Sequence, residues 1–301
     1  MAQNNDYDIL VIGAGPAGCA ASAVAARHGL SVLHVERDPE PRFKIGESLM
    51  PETYWAFERM GALDKMKASE FVPKHSVQFY ARNGKASAPF YFRDERDHES
   101  AQTWQVLRSD FDQLMFENAA EQGAETRRGV AVKEILFEGE RAVGAELELA
   151  DGERRRVGSK VIIDATGQST LLAKKVDLGT VDYGLRHASI FTHFKGARRD
   201  EGVDEGATLI LQTCPDGDSW FWYIPLPDDV VSVGVVGGAE YLKRPGQLPH
   251  ETYFEEVEKC PEIAERISQG VQCRPVEVIR DFSYRFDRMA GEGLSLIHIS
   301  E

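Results

Sequence analysis

The 301-residue chain has no apolar run approaching the roughly 18 residues of a membrane-spanning helix, so no segment reads as a membrane span. It also lacks an excess of basic charge. A formal net charge of −14 argues against a nucleic-acid surface, which needs a basic face. The one basic cluster, Arg154-Arg155-Arg156, follows the turn signal Asp151-Gly152 between two strand-like runs and reads as a solvated hairpin edge. Cysteine is scarce. Cys19, Cys214, Cys260 and Cys273 show neither C-x-x-C nor metal-ligand spacing, so buried thiols and no metal site are expected. No internal repeat or low-complexity segment is present. The first strand begins near Tyr7, which leaves no room for a signal peptide, and a cytoplasmic protein is expected. What remains is a globular composition, 42% hydrophobic, long enough for one large core or two modest domains.

The chain is organised around Ile9 to Gly18, I-L-V-I-G-A-G-P-A-G. Branched apolar residues make a short buried strand, and an Ala-rich helix runs from Ala17 to Gly29. Between them stands G-x-G-x-x-G. Gly13 allows the tight turn, Gly15 lets a pyrophosphate approach the backbone, and Gly18 lets the helix pack on the strand. The helix N-terminus offers free N–H groups and a positive dipole end to phosphates. The next strand, Ser31 to Val35, ends in Glu36, placed to accept hydrogen bonds from ribose hydroxyls and disfavouring NADP. The candidate dinucleotide site is Gly13, Gly15, Ala17, Gly18, Glu36 and the adjoining Arg37.

Further along, a proline-broken loop leads to Gly46-Glu47-Ser48, where Ser48 is read as the cap of a helix over Pro51–Met60. Asn83-Gly84 within Phe71–Phe92 signals a hairpin, and Arg93–Ser100 is a charged loop. Trp104–Leu107 is a strand. Arg108 follows it, and Ser109 is read as the cap of a helix over Asp110–Gln122. Val130–Phe137, Ala142–Leu149 and Glu153–Ile163 are three strands, the last running into Asp164-Ala165-Thr166-Gly167, a second turn where a nucleotide could approach backbone. From Ser189 onward, strand-like runs at short intervals (Ser189–Lys195, Thr208–Thr213, Trp220–Pro225, Val230–Val236) imply a mostly antiparallel sheet, because parallel strands need helical crossovers. A helix over His250–Ser268 and a strand over Val276–Tyr284 follow. Leu294–Glu301 breaks the pattern and matches a translated transposon-derived sequencing adapter, so a truncated, environmentally sampled gene with a foreign tail is expected.

These features resemble the flavoproteins with the fold of p-hydroxybenzoate hydroxylase and geranylgeranyl reductase, over residues 6 to about 293. The resemblance implies an α/β fold: a Rossmann-type FAD-binding domain with a mostly antiparallel β-sheet substrate domain. The first part of the FAD-binding domain would be 1–72 and the second 104–180. Substrate-domain segments would be 73–103 and 181–286, and 287–301 would hold the start of a missing FAD motif and the tail. The glycines with Glu36 look like the adenosine site, and Arg108 in L-R-S-D-F-D like the flavin- or pyrophosphate-contacting arginine. Asp164 to Gly167 resembles the second nucleotide-facing turn. The family's G-D-A turn, expected after Gly293, is absent.

Within that superfamily, Trp220-Phe221-Trp222-Tyr223-Ile224-Pro225 matches the W-x-W-x-I-P signature of flavin-dependent halogenases. Read from residues alone, Trp220 and Trp222 are same-face aromatics filling the core between sheet and cofactor. The resemblance gives them the task of keeping organic substrate from the flavin. Lys74, in Phe71-Val72-Pro73-Lys74-His75, matches the catalytic lysine of phenol- and pyrrole-acting halogenases, and the Ile45–Leu49 segment with Gly46, Glu47 and Ser48 also resembles theirs. What this implies is FAD, reduced by a separate flavin reductase, turning dioxygen and halide into hypohalous acid. Lys74 would hold that species as a hydrogen-bonded acid or a haloamine beside an electron-rich ring, free or carrier-protein-bound. Burial suits a lysine to this by leaving a neutral amine. Tyr80, Phe90, Tyr91 and Phe92 could line a pocket, although strand aromatics are more often core. A geranylgeranyl-type reductase, an aromatic hydroxylase and a non-catalytic flavin-binding module are the alternatives. Trp220 and Ile224 argue against the first, and the lack of a D-G turn at Asp164-Ala165 against the second.

Overall fold

The computed structural model describes residues 6–172, 186–213, 219–280 and 290–296. β1 (Tyr7–Ile12), α1 (Pro16–Arg27) and β2 (Val32–Glu36) form the opening unit, with the two strands parallel and Ile9 opposite Val32. β1 is buried on both faces, Val11 in one apolar cluster and Leu10 and Ile12 in another, as a sheet covered on both sides demands. α2 (Thr53–Arg59) and α3 (Leu63–Ala68) follow. The first starts later than expected, with Glu52 at its N-cap, so Ser48 does not cap it.

β3 (Val72–Lys74), β4 (Ser76–Tyr80) and β5 (Phe90–Tyr91) come next. The Asn83-Gly84 turn forms, with Gly84 at φ +77° and its N–H donating to the Ala81 carbonyl. Its far arm pairs only at Ala86 and at Phe90–Tyr91, because Ala-Ser-Ala-Pro is a poor strand former. Inside the expected charged loop lies the short α4 (Phe92–Glu95), anchored by buried Phe92. β6 (Thr103–Gln105) pairs with β3 and sets Thr103 opposite Lys74. α5 (Arg108–Glu121) begins at Arg108 with Leu107 as its N-cap; Ser109 sits in the first turn and donates to Asp110.

β7 (Glu125–Arg128) joins β2 in parallel and was not legible in advance, since E-T-R-R has no apolar alternation and its partner carries the buried residues. β8 (Ala131–Glu138), β9 (Arg141–Glu148) and β10 (Arg154–Asp164) form an antiparallel meander, after which β10 runs parallel beside β1. The arginine cluster is an exposed hairpin edge, with Arg154 and Arg156 paired across the ladder to Glu146.

The second sheet is built from β11 (His187–Lys195), β12 (Thr208–Gln212), β13 (Trp220–Leu226), β14 (Val230–Gly238), β15 (Val271–Gln272) and β16 (Glu277–Arg280). Its order, β15-β11-β14-β13-β12-β4-β5, is antiparallel except where β12 meets β4. One face, with Leu209, Leu211, Phe221, Tyr223 and Val233, packs on the helices Pro249–Glu258 and Pro261–Ile267. Those helices were expected to be one. Pro261 has no N–H to continue the first helix and instead starts the second. The opposite face carries Phe191, Trp222, Ile224 and Leu226 against Phe43 and Ile45.

β17 (Ala290–Gly291) and β18 (Leu294–Leu296) complete the first sheet, with β18 parallel to β10 and Leu294 opposite Ile162. The first three residues of the discordant tail thus extend the sheet; Ile297–Glu301 lie outside the described residues, as do Cys214 and the last part of the expected Val276–Tyr284 strand. Cys19 and Cys260 are buried as expected, but Cys273 is exposed, because it follows the edge strand β15. No described helix is long and apolar enough to cross a membrane.

Gly234 lets Trp222 lie flat on the sheet: a Cβ there would meet Trp222 Cζ2 at 2.2 Å and Phe191 Cβ at 2.6 Å. Gly234→Ala should therefore cost about 1–3 kcal/mol of stability by overpacking. Urea unfolding followed by tryptophan fluorescence measures it, and an unchanged midpoint would mean that the ring has free room.

Candidate functional site

The three glycines do different work. Gly13 sits at φ +104°, and a Cβ on it would lie 2.5 Å from the Ala165 carbonyl oxygen, so the glycine turn and the Asp164–Gly167 turn touch. A Cβ on Gly18 would lie 1.9 Å from the Gly13 oxygen, which makes Gly18 the helix-packing glycine. Over Gly15, the N-cap of α1, a Cβ would meet nothing within 4 Å, so this is the point where a ligand can reach the backbone. Ala17 lies in the first turn of the same helix. Beneath the turn, His34 Nε2 donates to the Gly13 carbonyl at 3.0 Å, and burial pushes its pKa down to about 4, which keeps the ring neutral. His34 was hidden in the sequence as one polar residue in an apolar strand.

Glu36 is half-buried at the end of β2. Its Oε2 accepts from Ala14 N–H at 2.8 Å and its Oε1 from Asp38 N–H at 2.9 Å. Burial alone would raise its pKa, but these two amides together with the charges of Lys44 and Arg128 outweigh it and hold the carboxyl below its ordinary value. Each oxygen keeps lone-pair capacity for ribose hydroxyls. Arg37 is exposed and pairs loosely with Asp38 at 3.9 Å. Arg128, opposite Glu36 on β7, was not anticipated. Its guanidinium lies 4.4 Å from the centre of the Phe116 ring, and its buried Nε and Nη2 have no partner among the described residues. It lines a cavity of about 720 Å³ with Pro39, Glu40, Pro41, Ser109, Asp110, Gln113, Leu114 and Glu117, so the guanidinium shares that cavity with three carboxylates. Open backbone at Gly15 and a poised carboxylate at Glu36, with the unpaired Arg128 Nε and Nη2 beside it, fit the adenosine and pyrophosphate of FAD.

The other two expected contacts are engaged within the protein. Asp164 Oδ1 accepts from Thr166 N–H at 2.9 Å and Oδ2 from Leu172 N–H at 2.7 Å, so the buried carboxylate shapes its own turn, and Gly167 is exposed at φ +58°. Arg108 makes a bidentate, buried pair with Asp112 (3.0 and 3.1 Å) and donates to the Ile45 carbonyl at 2.5 Å. It thereby ties α5 to the loop that carries Gly46, Glu47 and Ser48.

That loop reaches Lys74. The lysine is 2% exposed, with Nζ donating to Ser48 Oγ at 2.9 Å and to the Leu49 carbonyl at 3.1 Å, and lying 5.3 Å from the Phe92 ring centre. Burial pushes its pKa down to about 8. Ser48 Oγ also lies 2.8 Å from Thr208 Oγ1, which accepts from Gln105 Nε2 at 2.8 Å. Neither Thr208 nor Gln105 was anticipated, because the first lies 160 residues from Ser48 in sequence.

Glu47 is 2% exposed and accepts from His193 Nε2 at 3.0 Å, pinning the loop to β11. Gly46, at φ +94°, provides the bend. Trp222 is buried, its Nε1 donating to Ser232 Oγ at 3.1 Å, whereas Trp220 is 37% exposed and therefore does not fill the core beside it. Pairing puts Phe79, Ile210, Trp222, Gly234 and Phe191 in one row on the loop-facing side of the sheet, and Val77, Thr208, Ile224, Ser232 and His193 in the next. Of the expected pocket aromatics, Phe90 is exposed, Phe92 lies under Lys74, Tyr91 donates to Asp204, and Tyr80 packs on the helix side.

A family described as an FAD binding domain matches residues 6–228. A brominase of 1H-pyrrole-2-carbonyl-(peptidyl-carrier protein) from Pseudoalteromonas luteoviolacea (strain 2ta16) is 33% identical over 296 residues, 97% of this chain and 70% of the brominase. Flavin-dependent halogenase armH2 of Armillaria mellea is 29% identical over 302 residues, 94% of this chain and 58% of that protein. The solved structure of the myxobacterial chondrochloren halogenase CndH superposes with a TM-score of 0.89 at 28% identity, covering 97% of this chain and 67% of that one. The chain thus spans 58–70% of the length of these curated relatives. With FAD as the ligand, Glu36→Arg should weaken binding by about 2 kcal/mol, the loss of hydrogen bonds to a charged acceptor, or roughly thirtyfold in Kd. Flavin fluorescence titration measures it, and an unchanged Kd would show that the acid faces elsewhere. The length of the FAD-domain match and the identity to the brominase place this chain in the FAD binding domain family, among the flavin-dependent halogenases.

Proposed function

We propose that the protein halogenates an electron-rich aromatic ring of the phenol or pyrrole class, with Lys74 as the residue that presents the halogen. When bound in its reduced form, supplied by a separate flavin reductase, FAD contributes the oxidising chemistry: with dioxygen and halide it yields hypohalous acid, hydroxide and oxidised flavin. This chain's residues do the rest. Gly15, Glu36 and Arg128 would hold the adenosine and pyrophosphate, and the Trp222 face would wall the flavin side from organic substrate.

Lys74 carries the reading. A buried amine whose pKa is lowered to about 8 holds about a tenth of its population as the neutral nucleophile at pH 7, against well under a thousandth for an ordinary lysine. It can hold hypohalous acid by a hydrogen bond, or form an N–X bond as water leaves. In the second case the ring carbon takes the halogen and a ring proton returns to nitrogen. Either way the halogen is offered at one fixed atom.

The exposed Phe90, packed edge-on against the Phe92 ring that Lys74 faces, offers aromatic surface to a ring. The names of the brominase and of a Pseudomonas fluorescens chlorinase, both for pyrrole-carbonyl carrier proteins, support a carrier-bound pyrrole as one candidate substrate.

Lys74→Ala should abolish halogenation and leave flavin reoxidation intact. The measurement is mass spectrometry of phenols, pyrroles and indoles incubated with FAD, a reductase, NADH, air and bromide. A bromine doublet present with the parent and lost in the variant is expected. An equal doublet in both would overturn the role of Lys74, and a gain of one oxygen instead would make the protein a hydroxylase.

A further inference from the structure

We infer that Ser48 and Thr208 form a hydroxyl relay that controls the proton on Lys74, with Gln105 as the residue that fixes its far end. The inference takes Lys74 to be the working amine, as proposed above, but the chain of bonds is independent of any cofactor. Lys74 Nζ donates to Ser48 Oγ at 2.9 Å, Ser48 Oγ lies 2.8 Å from Thr208 Oγ1, and Gln105 Nε2 donates to Thr208 Oγ1 at 2.8 Å. Gln105 is wholly buried and gives its other amide hydrogen to the Gly206 carbonyl at 2.9 Å. Both N–H groups are thus committed, and Thr208 Oγ1 receives one of them whatever the state of the lysine.

The two hydroxyls are the only members that can reverse. With Lys74 as ammonium, Ser48 accepts from Nζ and passes its own hydrogen to Thr208. With Lys74 as amine, Thr208 can donate to Ser48, and Ser48 to the nitrogen lone pair. The Leu49 carbonyl, at 3.1 Å, can only accept, so it anchors one N–H in both states. No ion is needed to neutralise the ammonium. Nearby charges are turned elsewhere: Glu47 accepts from His193, and Asp204 accepts from Ser76 and Tyr91. His75, next in the chain, is itself held toward neutrality by burial and by Arg93. The face of Phe92, at 5.3 Å, is the remaining neighbour that favours positive charge.

Ser48 and Thr208 are therefore positioning residues that act through Lys74. Removing the Thr208 hydroxyl leaves the Ser48 hydrogen without its acceptor, which weakens Ser48 as an acceptor for the ammonium and favours the amine. The test is a titration of Lys74 by carbon–proton NMR on protein labelled at lysine Cε, with Lys74→Arg identifying the resonance. Thr208→Val and Ser48→Ala should each lower the midpoint by about half a unit or more, the equivalent of one net hydrogen bond, and Thr208→Ser should restore the parent value. Ser48→Ala alone decides the first link should Thr208→Val fail to fold. A parent midpoint in Thr208→Val or in Ser48→Ala would overturn the relay. Because the titration uses no flavin, halide or substrate, it is decided separately from whether the protein halogenates.

Discussion

The site depends on one unfavourable act, the burial of a lysine amine that no carboxylate among the described residues pairs. An isolated buried ammonium is costly, and the usual relief is loss of the proton. Uncharged dipoles surround Lys74 instead: a serine hydroxyl, a backbone carbonyl and an aromatic face. These hold the nitrogen in place in both protonation states, whereas a carboxylate would have fixed the positive one. A nucleophilic amine near neutral pH follows from that choice of partners.

Everything that supports this cradle comes from distant chain. The loop carrying Ser48 is fastened at three points: Arg108 to the Ile45 carbonyl, Glu47 to His193, and Ser48 to Thr208. Two of the three reach the second sheet. The same loop covers the Trp222 face through Phe43 and Ile45, so a single segment touches α5, the lysine and the aromatic wall. The second sheet is asymmetric for this reason: one face meets its helices and the other meets this loop.

Much of this was legible where the pattern is local. The strand–glycine–helix turn, Glu36 and the antiparallel texture after Ser189 follow from periodicity and turn chemistry, because each depends on residues close in sequence. The tryptophan pair and Lys74 were found only through family resemblance. What was not legible rests on partners far apart: β7, whose polar sequence takes its strand form from β2, and Thr208 and Gln105, which matter through Ser48 and Lys74. Ser48 itself was misread as a helix cap, a reasonable use of a serine before Pro51 until the tertiary contact claims the hydroxyl. The helix over His250–Ser268 broke at Pro261, where the backbone rule outweighs the amphipathic pattern.

The central claim is that burial lowers the Lys74 amine far enough to give a reactive neutral fraction near neutral pH, and direct titration of that amine in the parent protein tests it most closely. The account predicts a Lys74 midpoint at about 8, with ammonium below and amine above. A midpoint near 10.5, the ordinary lysine value, would mean that the amine stays charged and that the cradle does not prepare a nucleophile.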